Sequence, residues 1–115
     1  MVVDQLSDHH VDRLFHALAD ATRRDIVRRV LDGEYSISDL ARLYPMSMTA
    51  VQKHVSVLEE AGLVAKERRG REQRVLGRMD AVHEAQRLLD SFEQLWRDRF
   101  DRMSDLLTDP EGEFA

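Results

Sequence analysis

Four polar residues between Pro45 and Gly62 have the side-chain types and the spacing that base recognition requires. They are Thr49, Gln52, Lys53 and Ser56. If this stretch is helical, they share one side of the helix, and their hydroxyl, amide and ammonium groups can bond to base edges in a major groove. A capped amphipathic surface helix without a ligand is the alternative that this stretch alone leaves open.

Two residues at the margins of this polar stripe complete the predicted recognition helix, 47–61. Ser47 follows the helix-breaking Pro45 and can cap the first turn through its hydroxyl. His54 lies beside Val51 and Leu58 within the apolar arc, so packing and a contact to DNA are both open. Gly62 suits the residue after the helix end, where a left-handed backbone is common. We include Ser47 and His54 among the candidate DNA contacts.

A group of arginines follows the predicted helix. Two short strand patterns, 63–68 and 73–78, flank a glycine-containing turn and indicate a hairpin. A basic hairpin next to a recognition helix can hold phosphate or enter the minor groove, whereas a merely solvated hairpin is the alternative. We predict a wing over 63–78 with four DNA-contacting arginines: Arg68, Arg69, Arg71 and Arg74.

The distribution of charge supports a nucleic-acid partner although the whole chain carries −5. Residues 44–78 contain seven lysines and arginines against four acids, which gives +3 and leaves −8 for the remainder. One basic segment in an acidic chain is expected if a single face meets phosphate. There is no cysteine, which excludes disulfides and thiolate metal sites. The sequence shows neither a membrane span nor a signal peptide, so we expect a cytoplasmic protein.

Catalytic and metal chemistry have little support in the residues. His9 and His10 are adjacent and point in different directions on a helix, and His16 lies beyond them, which does not favour a shared metal ion. No nucleophile elbow and no glycine-rich phosphate loop occurs. We therefore expect no enzyme activity, no cofactor and no metal ligand.

The elements that position these residues are predicted from apolar periodicity. Three helices precede the recognition helix: one from Asp8, one after Asp20, and a short one over 37–43 capped by Ser36. A long helix over 80–107 follows the hairpin. The predicted fold is mainly α with a small β-hairpin, a winged helix-turn-helix in the order α-α-α-α-β-β-α. The domain is expected over 8–107, between flexible tails at 1–7 and 108–115.

The last predicted helix carries more apolar surface than one small domain can cover. Its stripe runs from Val82 to Leu106 at heptad spacing and is interrupted by Arg99. A homodimer is the simplest arrangement that buries it, while an intramolecular core helix is the alternative. The predicted interface residues on this helix are Leu89, Phe92, Trp96 and Met103.

Four stretches of the chain resemble a known family. The ArsR-type winged-helix repressors are the family to which two long stretches are similar, LADATRRDIVRRVLDGEYSISDLA (18–41) and MSMTAVQKHVSVLEEAGLV (46–64). The wing (68–74) is similar to theirs as well. The late stretch, 92–107, resembles a branch of the family without the known metal sites. The resemblance implies a homodimeric bacterial transcription regulator, usually a repressor, on a palindromic operator in double-stranded DNA. It also implies a dimer interface from the first and last helices, which adds Val11, Leu14, Phe15 and Leu18.

The chain departs from the metal-sensing members of that family. Ser36 and Ser38 stand where thiolate sensors carry cysteines, and His83 is the single histidine of the last helix, close to Asp80 and Glu84. The effector is therefore unknown. Two other functions stay open: a winged-helix module that binds an acidic protein, and a metal-gated repressor that uses histidine and carboxylate ligands.

Overall fold

The computed structural model describes residues 2–114, with the side chains of residues 8–107. The chain divides into two compact units, Met1–Ala85 and Gln86–Ala115. The first unit holds four helices, a three-stranded antiparallel sheet and the start of a fifth helix, which continues through the second unit. The elements are α1 (Val2–Leu18), α2 (Ala21–Asp32), β1 (Tyr35–Ser36), α3 (Ile37–Ala41), α4 (Met48–Glu60), β2 (Val64–Arg69), β3 (Glu72–Gly77) and α5 (Asp80–Phe114).

The predicted winged helix-turn-helix fold is confirmed, with one strand that the sequence did not indicate. β1 pairs with β3 through Tyr35 opposite Val75 and Ser36 opposite Arg74, so that the sheet order is β1-β3-β2. Two residues are too few to show the alternation by which a strand is recognised in a sequence. The extra strand ties the start of α3 to the wing.

Several predicted helix limits need correction. α1 begins at Val2, so Asp8 lies inside the helix and does not cap it. α3 ends at Ala41, two residues before the predicted end of the helix, and Leu43 is 43% exposed. The predicted flexible tails at 1–7 and 108–115 lie outside the residues whose side chains are described. Among residues 2–114, no helix has the length and apolar character that a membrane crossing requires.

The hydrophobic core of the first unit is built from all of its helices and the sheet. Its fully buried members include Leu14, Ile26, Leu40, Val51, Val55, Leu58, Leu63 and Val75. Leu14, one of the residues predicted for the dimer interface, is 0% exposed in the single chain and belongs to this core. An amphipathic pattern shows which side of a helix is apolar, whereas it does not show whether the chain itself or a partner covers that side.

Candidate nucleic-acid interface

Both ends of α4 are fixed by hydrogen bonds that the sequence predicts. Ser47 is the N-cap, and its hydroxyl accepts from the backbone N–H of Ala50 over 3.1 Å. At the other end Gly62 has a φ of +78°, and its N–H donates to the carbonyl of Glu59 over 3.0 Å. The N–H of Leu63 donates to the carbonyl of Leu58 over 3.0 Å, which completes a Schellman motif. The predicted recognition helix, 47–61, therefore agrees with the observed α4 and its two caps.

The two sides of α4 are clearly divided. Val51, Val55 and Leu58 point into the core and are 0% exposed. The predicted DNA contacts Ser47, Thr49, Gln52 and Lys53 are exposed, and Ser56 is half-buried. Apolar burial thus holds the helix while leaving hydrogen-bonding groups available on its other side.

His54 is half-buried and has a partner inside the chain. Its Nδ1 lies 3.3 Å from Nη1 of Arg23. The guanidinium of Arg23 also donates from Nε to the carbonyl of Ala17 over 2.7 Å and from Nη2 to the carbonyl of His16 over 3.0 Å. Both carbonyls belong to the last turn of α1, where the i+4 donors of the helix are missing. The carbonyl of His16 also accepts the N–H of Ala19 over 3.1 Å. Arg23 therefore joins α1, α2 and α4, and sequence reasoning did not identify this role.

A second polar cluster links α2 to the turn before α4. The hydroxyl of Tyr44 donates to Oδ2 of Asp25 over 2.6 Å, and Nε of Arg29 donates to the same oxygen over 2.9 Å. The guanidinium carbon of Arg29 also lies 5.8 Å from the centre of the Tyr44 ring. The hydrogen bonds from Tyr44 and Arg29 lower the pKa of Asp25. Burial, followed by the bond to Asp25, raises the pKa of Tyr44 to about 12.

The wing has the predicted hairpin form. β2 and β3 pair from Val64 opposite Gly77 to Arg69 opposite Glu72. Gly70 has a φ of +62° at the first central position of the two-residue turn, as a type II′ turn requires. The predicted wing, 63–78, contains both strands and the turn.

The four predicted wing arginines differ in their surroundings. Arg68 and Arg71 are exposed and make no hydrogen bond or ion pair to another described residue. Arg69 pairs through Nε with Glu67 at 2.6 Å and through Nη1 with Glu34 at 3.4 Å. Arg74 is half-buried; its Nη2 lies 3.4 Å from Glu72, and its buried Nε has no hydrogen-bond partner among the described residues. A phosphate would meet Arg68 and Arg71 directly but would have to compete with carboxylates for Arg69 and Arg74.

The residues predicted to form the dimer interface are more exposed on α5 than on α1. On α1, Phe15 is 37% exposed, and Val11 and Leu18 are half-buried. In the second unit the predicted interface side chains are more than half exposed: Leu89 53%, Phe92 56%, Trp96 61% and Met103 52%. Leu95, Phe100, Leu106 and Leu107 of the same helix are exposed as well. Exposed apolar side chains grouped on one helix in this way are typical of surfaces that bind a partner.

Of the two serines that stand at the positions of a thiolate site, Ser36 has a structural role. Ser36 is 2% exposed; its hydroxyl accepts from the N–H of Asp39 over 3.0 Å, and its own N–H donates to Oδ2 of Asp39 over 3.0 Å. This capping box starts α3. His10 lies 2.7 Å from Glu84. Within the described part of the chain, no three histidine, aspartate or glutamate side chains are grouped so that they could hold a metal ion.

Comparisons with known proteins agree with this geometry. A helix-turn-helix domain family matches residues 18–67. The chain is 49% identical over 53 residues to the HTH-type transcriptional regulator Rv2034 of Mycobacterium tuberculosis, covering 46% of this chain and 50% of that protein. It is 43% identical over 67 residues to the HTH-type transcriptional regulator YuzN of Bacillus subtilis, covering 52% of this chain and 73% of that protein. The match to the mycobacterial relative thus spans only half of its length.

Solved structures extend the similarity over most of the chain. An ArsR-like transcriptional regulator from Rhodococcus is 28% identical with a TM-score of 0.75, covering 85% of this chain and 92% of that one. A fragment from Mycobacterium bovis, described as the homodimeric winged helix-turn-helix DNA-binding domain of a possible ArsR-family regulator, is 25% identical with a TM-score of 0.60. That similarity covers 78% of this chain and 80% of the fragment.

Proposed function

Because the chain belongs to the ArsR-type winged helix-turn-helix transcriptional regulators, we propose that it is a homodimeric cytoplasmic repressor that binds a palindromic operator. The observation that carries the proposal is the division of α4 into a buried apolar side and an exposed polar side. A helix held in this way can enter a major groove without losing its contacts to the core.

Each part of the interface has its own task in this proposal. Thr49, Gln52 and Ser56 face the major groove and read base edges. Lys53 supplies a positive charge for phosphate, and Ser47 holds the first turn of α4. Arg68 and Arg71 hold phosphate or enter the minor groove, because no carboxylate of the described residues pairs with them. Arg69 and Arg74 contribute only after their carboxylate partners, Glu67 and Glu72, are displaced.

The proposed dimer follows from the exposed apolar side of α5. Phe92 and Trp96 are large side chains that remain 56% and 61% exposed in a single chain. The Mycobacterium bovis fragment is described as homodimeric, which supports a second copy as the occupant of this surface. A two-fold dimer presents two recognition helices, so its operator should be an inverted repeat with half-sites about one helical turn apart.

In vitro selection from random DNA duplexes tests this function. We expect enrichment of one inverted repeat, and footprinting should show two protected half-sites about 10 base pairs apart, centre to centre. A reporter gene under that repeat should be silenced by the protein and released by Gln52→Ala. Enrichment of no sequence over scrambled duplex would contradict sequence-specific binding, and reporter activation would contradict repression.

A further inference from the structure

Three helices meet at the guanidinium of Arg23, whose side chain is only 12% exposed. Its Nε and Nη2 donate to two carbonyls of α1, those of Ala17 and His16, over 2.7 and 3.0 Å. Its Nη1 lies 3.9 Å from a carboxylate oxygen of Asp20, the N-cap of α2, and 3.3 Å from Nδ1 of His54 on α4. The recognition helix is therefore attached to the rest of the first unit by a polar contact in addition to its apolar side.

The chemistry of the two side chains determines the proton on His54. A guanidinium has donors and no acceptor, so the Nδ1 that faces it must accept. His54 must then be neutral, with its proton on Nε2. Arg23 cannot turn away to suit a protonated ring, because that movement would leave the carbonyl of Ala17 without its donor. The carbonyl of His16 would lose Arg23 and keep only the N–H of Ala19.

We propose that Arg23 and His54 are positioning residues for the recognition helix, and that only neutral His54 allows α4 to hold its DNA-binding position. The proposal rests on the proposed function and deepens it, because it removes His54 from the base-reading residues. Gln52 and Ser56 flank His54 on α4, so displacement of the imidazole from Arg23 shifts the side chains that face the operator.

The contact between Arg23 and His54 determines the direction in which operator affinity should change with pH. The charged groups that face His54 are Arg23 and Asp20 of α2, while the last turn of α1 supplies the carbonyls that hold Arg23. Protonation of His54 replaces its hydrogen bond from Arg23 by repulsion between two cations, the imidazolium and the guanidinium. The negative charge of Asp20 is more distant and offsets this repulsion only in part. Acidification should therefore weaken operator binding. A histidine that contacts DNA directly would act in the opposite direction, because its positive charge would attract phosphate.

The test compares the full-length wild type with His54→Asn on the selected operator, in a pH series from about 8 to about 5, where histidine changes charge. The side-chain oxygen of asparagine can accept from Arg23 but does not titrate. We expect the wild type to lose about tenfold in affinity on acidification, the scale of one hydrogen bond to a charged group, and His54→Asn to lose much less. His16→Gln is the matched control, because His16 uses only its backbone carbonyl, and it should behave as the wild type.

Two outcomes of the binding experiment would overturn the proposal: an operator affinity of the wild type that rises on acidification, or a loss of equal size in His54→Asn. The tautomer of His54 provides a readout without DNA, so that a failure of the proposed function is distinguished from a failure of this inference. Nitrogen chemical shifts of the wild type near neutral pH should show the proton on Nε2. Arg23→Lys, which keeps the charge but not the planar set of donors, should shift the Nδ1 resonance. A proton on Nδ1 of the wild type would overturn the proposal even if no operator is found.

Discussion

The hydroxyl of Tyr44 donates a hydrogen bond of 2.6 Å to Oδ2 of Asp25, and so ties the turn before the recognition helix to α2. Arg29 donates to the same oxygen over 2.9 Å. One carboxylate oxygen thus accepts from its own helix, through Arg29, and from the turn before α4, through Tyr44. The orientation of α4 depends on this cluster as well as on its apolar side.

Tyr44→Phe should lower the free energy of unfolding by about 1 kcal/mol at neutral pH, since it removes one hydrogen bond to a charged group that is one-third exposed. The pKa of Asp25 is lowered from 3.8 in the folded chain, so the stabilisation is complete above that value and is lost as the pH falls below it. Urea unfolding of wild type and variant should therefore give a difference that shrinks below about pH 4.

Asp25→Asn provides the control for this prediction. In the Asp25→Asn background, Tyr44→Phe should lower the free energy of unfolding by a smaller amount, and this amount should not change with pH. An unchanged acid-dependent difference would show that the Tyr44 hydroxyl acts through another group.

The ends of the helices could be predicted because each depends on residues that are near in the sequence. Ser36 and Ser47 cap helices by accepting an N–H three residues later, and Gly62 takes the left-handed backbone that follows a helix. Such signals can be found without knowledge of the tertiary fold.

The contacts between distant residues could not be predicted in that way. The bond from Arg23 to His54 spans 31 positions, and the bond from Tyr44 to Asp25 spans 19. Periodicity placed His54 near the apolar side of its helix but could not supply its partner. The carboxylate partners of Arg69 and Arg74 could not be predicted either. A run of arginines in a sequence shows positive charge, but it does not show which of the arginines pair with acids in the fold.

Trp96→Ala should weaken the proposed homodimer by about 2–4 kcal/mol, because large aromatic side chains dominate interfaces of this kind. Sedimentation across a concentration series should show monomers at concentrations where the wild type is dimeric. Arg87→Ala is the matched control: Arg87 lies nine residues earlier, on the opposite side of α5, and is exposed. A wild type that stays monomeric at tens of micromolar would contradict the homodimer itself.

Chelators and added zinc should leave operator affinity nearly unchanged. The chain has no cysteine, the hydroxyl of Ser36 is engaged in a capping box, and Ser38 is exposed. The measurement is a binding titration with and without zinc, repeated with His83→Ala. A zinc-dependent change of about tenfold, 1.4 kcal/mol, that disappears in His83→Ala would show that a metal site exists.

Gln52→Ala should weaken operator binding by about 1–3 kcal/mol in each half-site and leave binding to scrambled duplex unchanged. Gln52 is exposed on the first half of α4, where its amide can both donate to and accept from adenine. Lys53→Ala is the control at the next position; it removes a point charge and should weaken both duplexes. Equal losses on both duplexes for Gln52→Ala would show that this side chain does not read the sequence.

Arg71→Ala should weaken binding to operator and scrambled duplex alike, because Arg71 lies in the turn of the wing with no carboxylate partner among the described residues. Each phosphate contact contributes about 0.9 to the slope of log affinity against log salt, so the loss of two contacts in a dimer should flatten the slope by about 1.8. Arg71→Lys keeps the charge and should keep most of the slope. Binding to both duplexes across a salt series measures this. An unchanged slope in Arg71→Ala would contradict the phosphate contact, and a loss confined to the operator would mean that the wing reads sequence as well as α4.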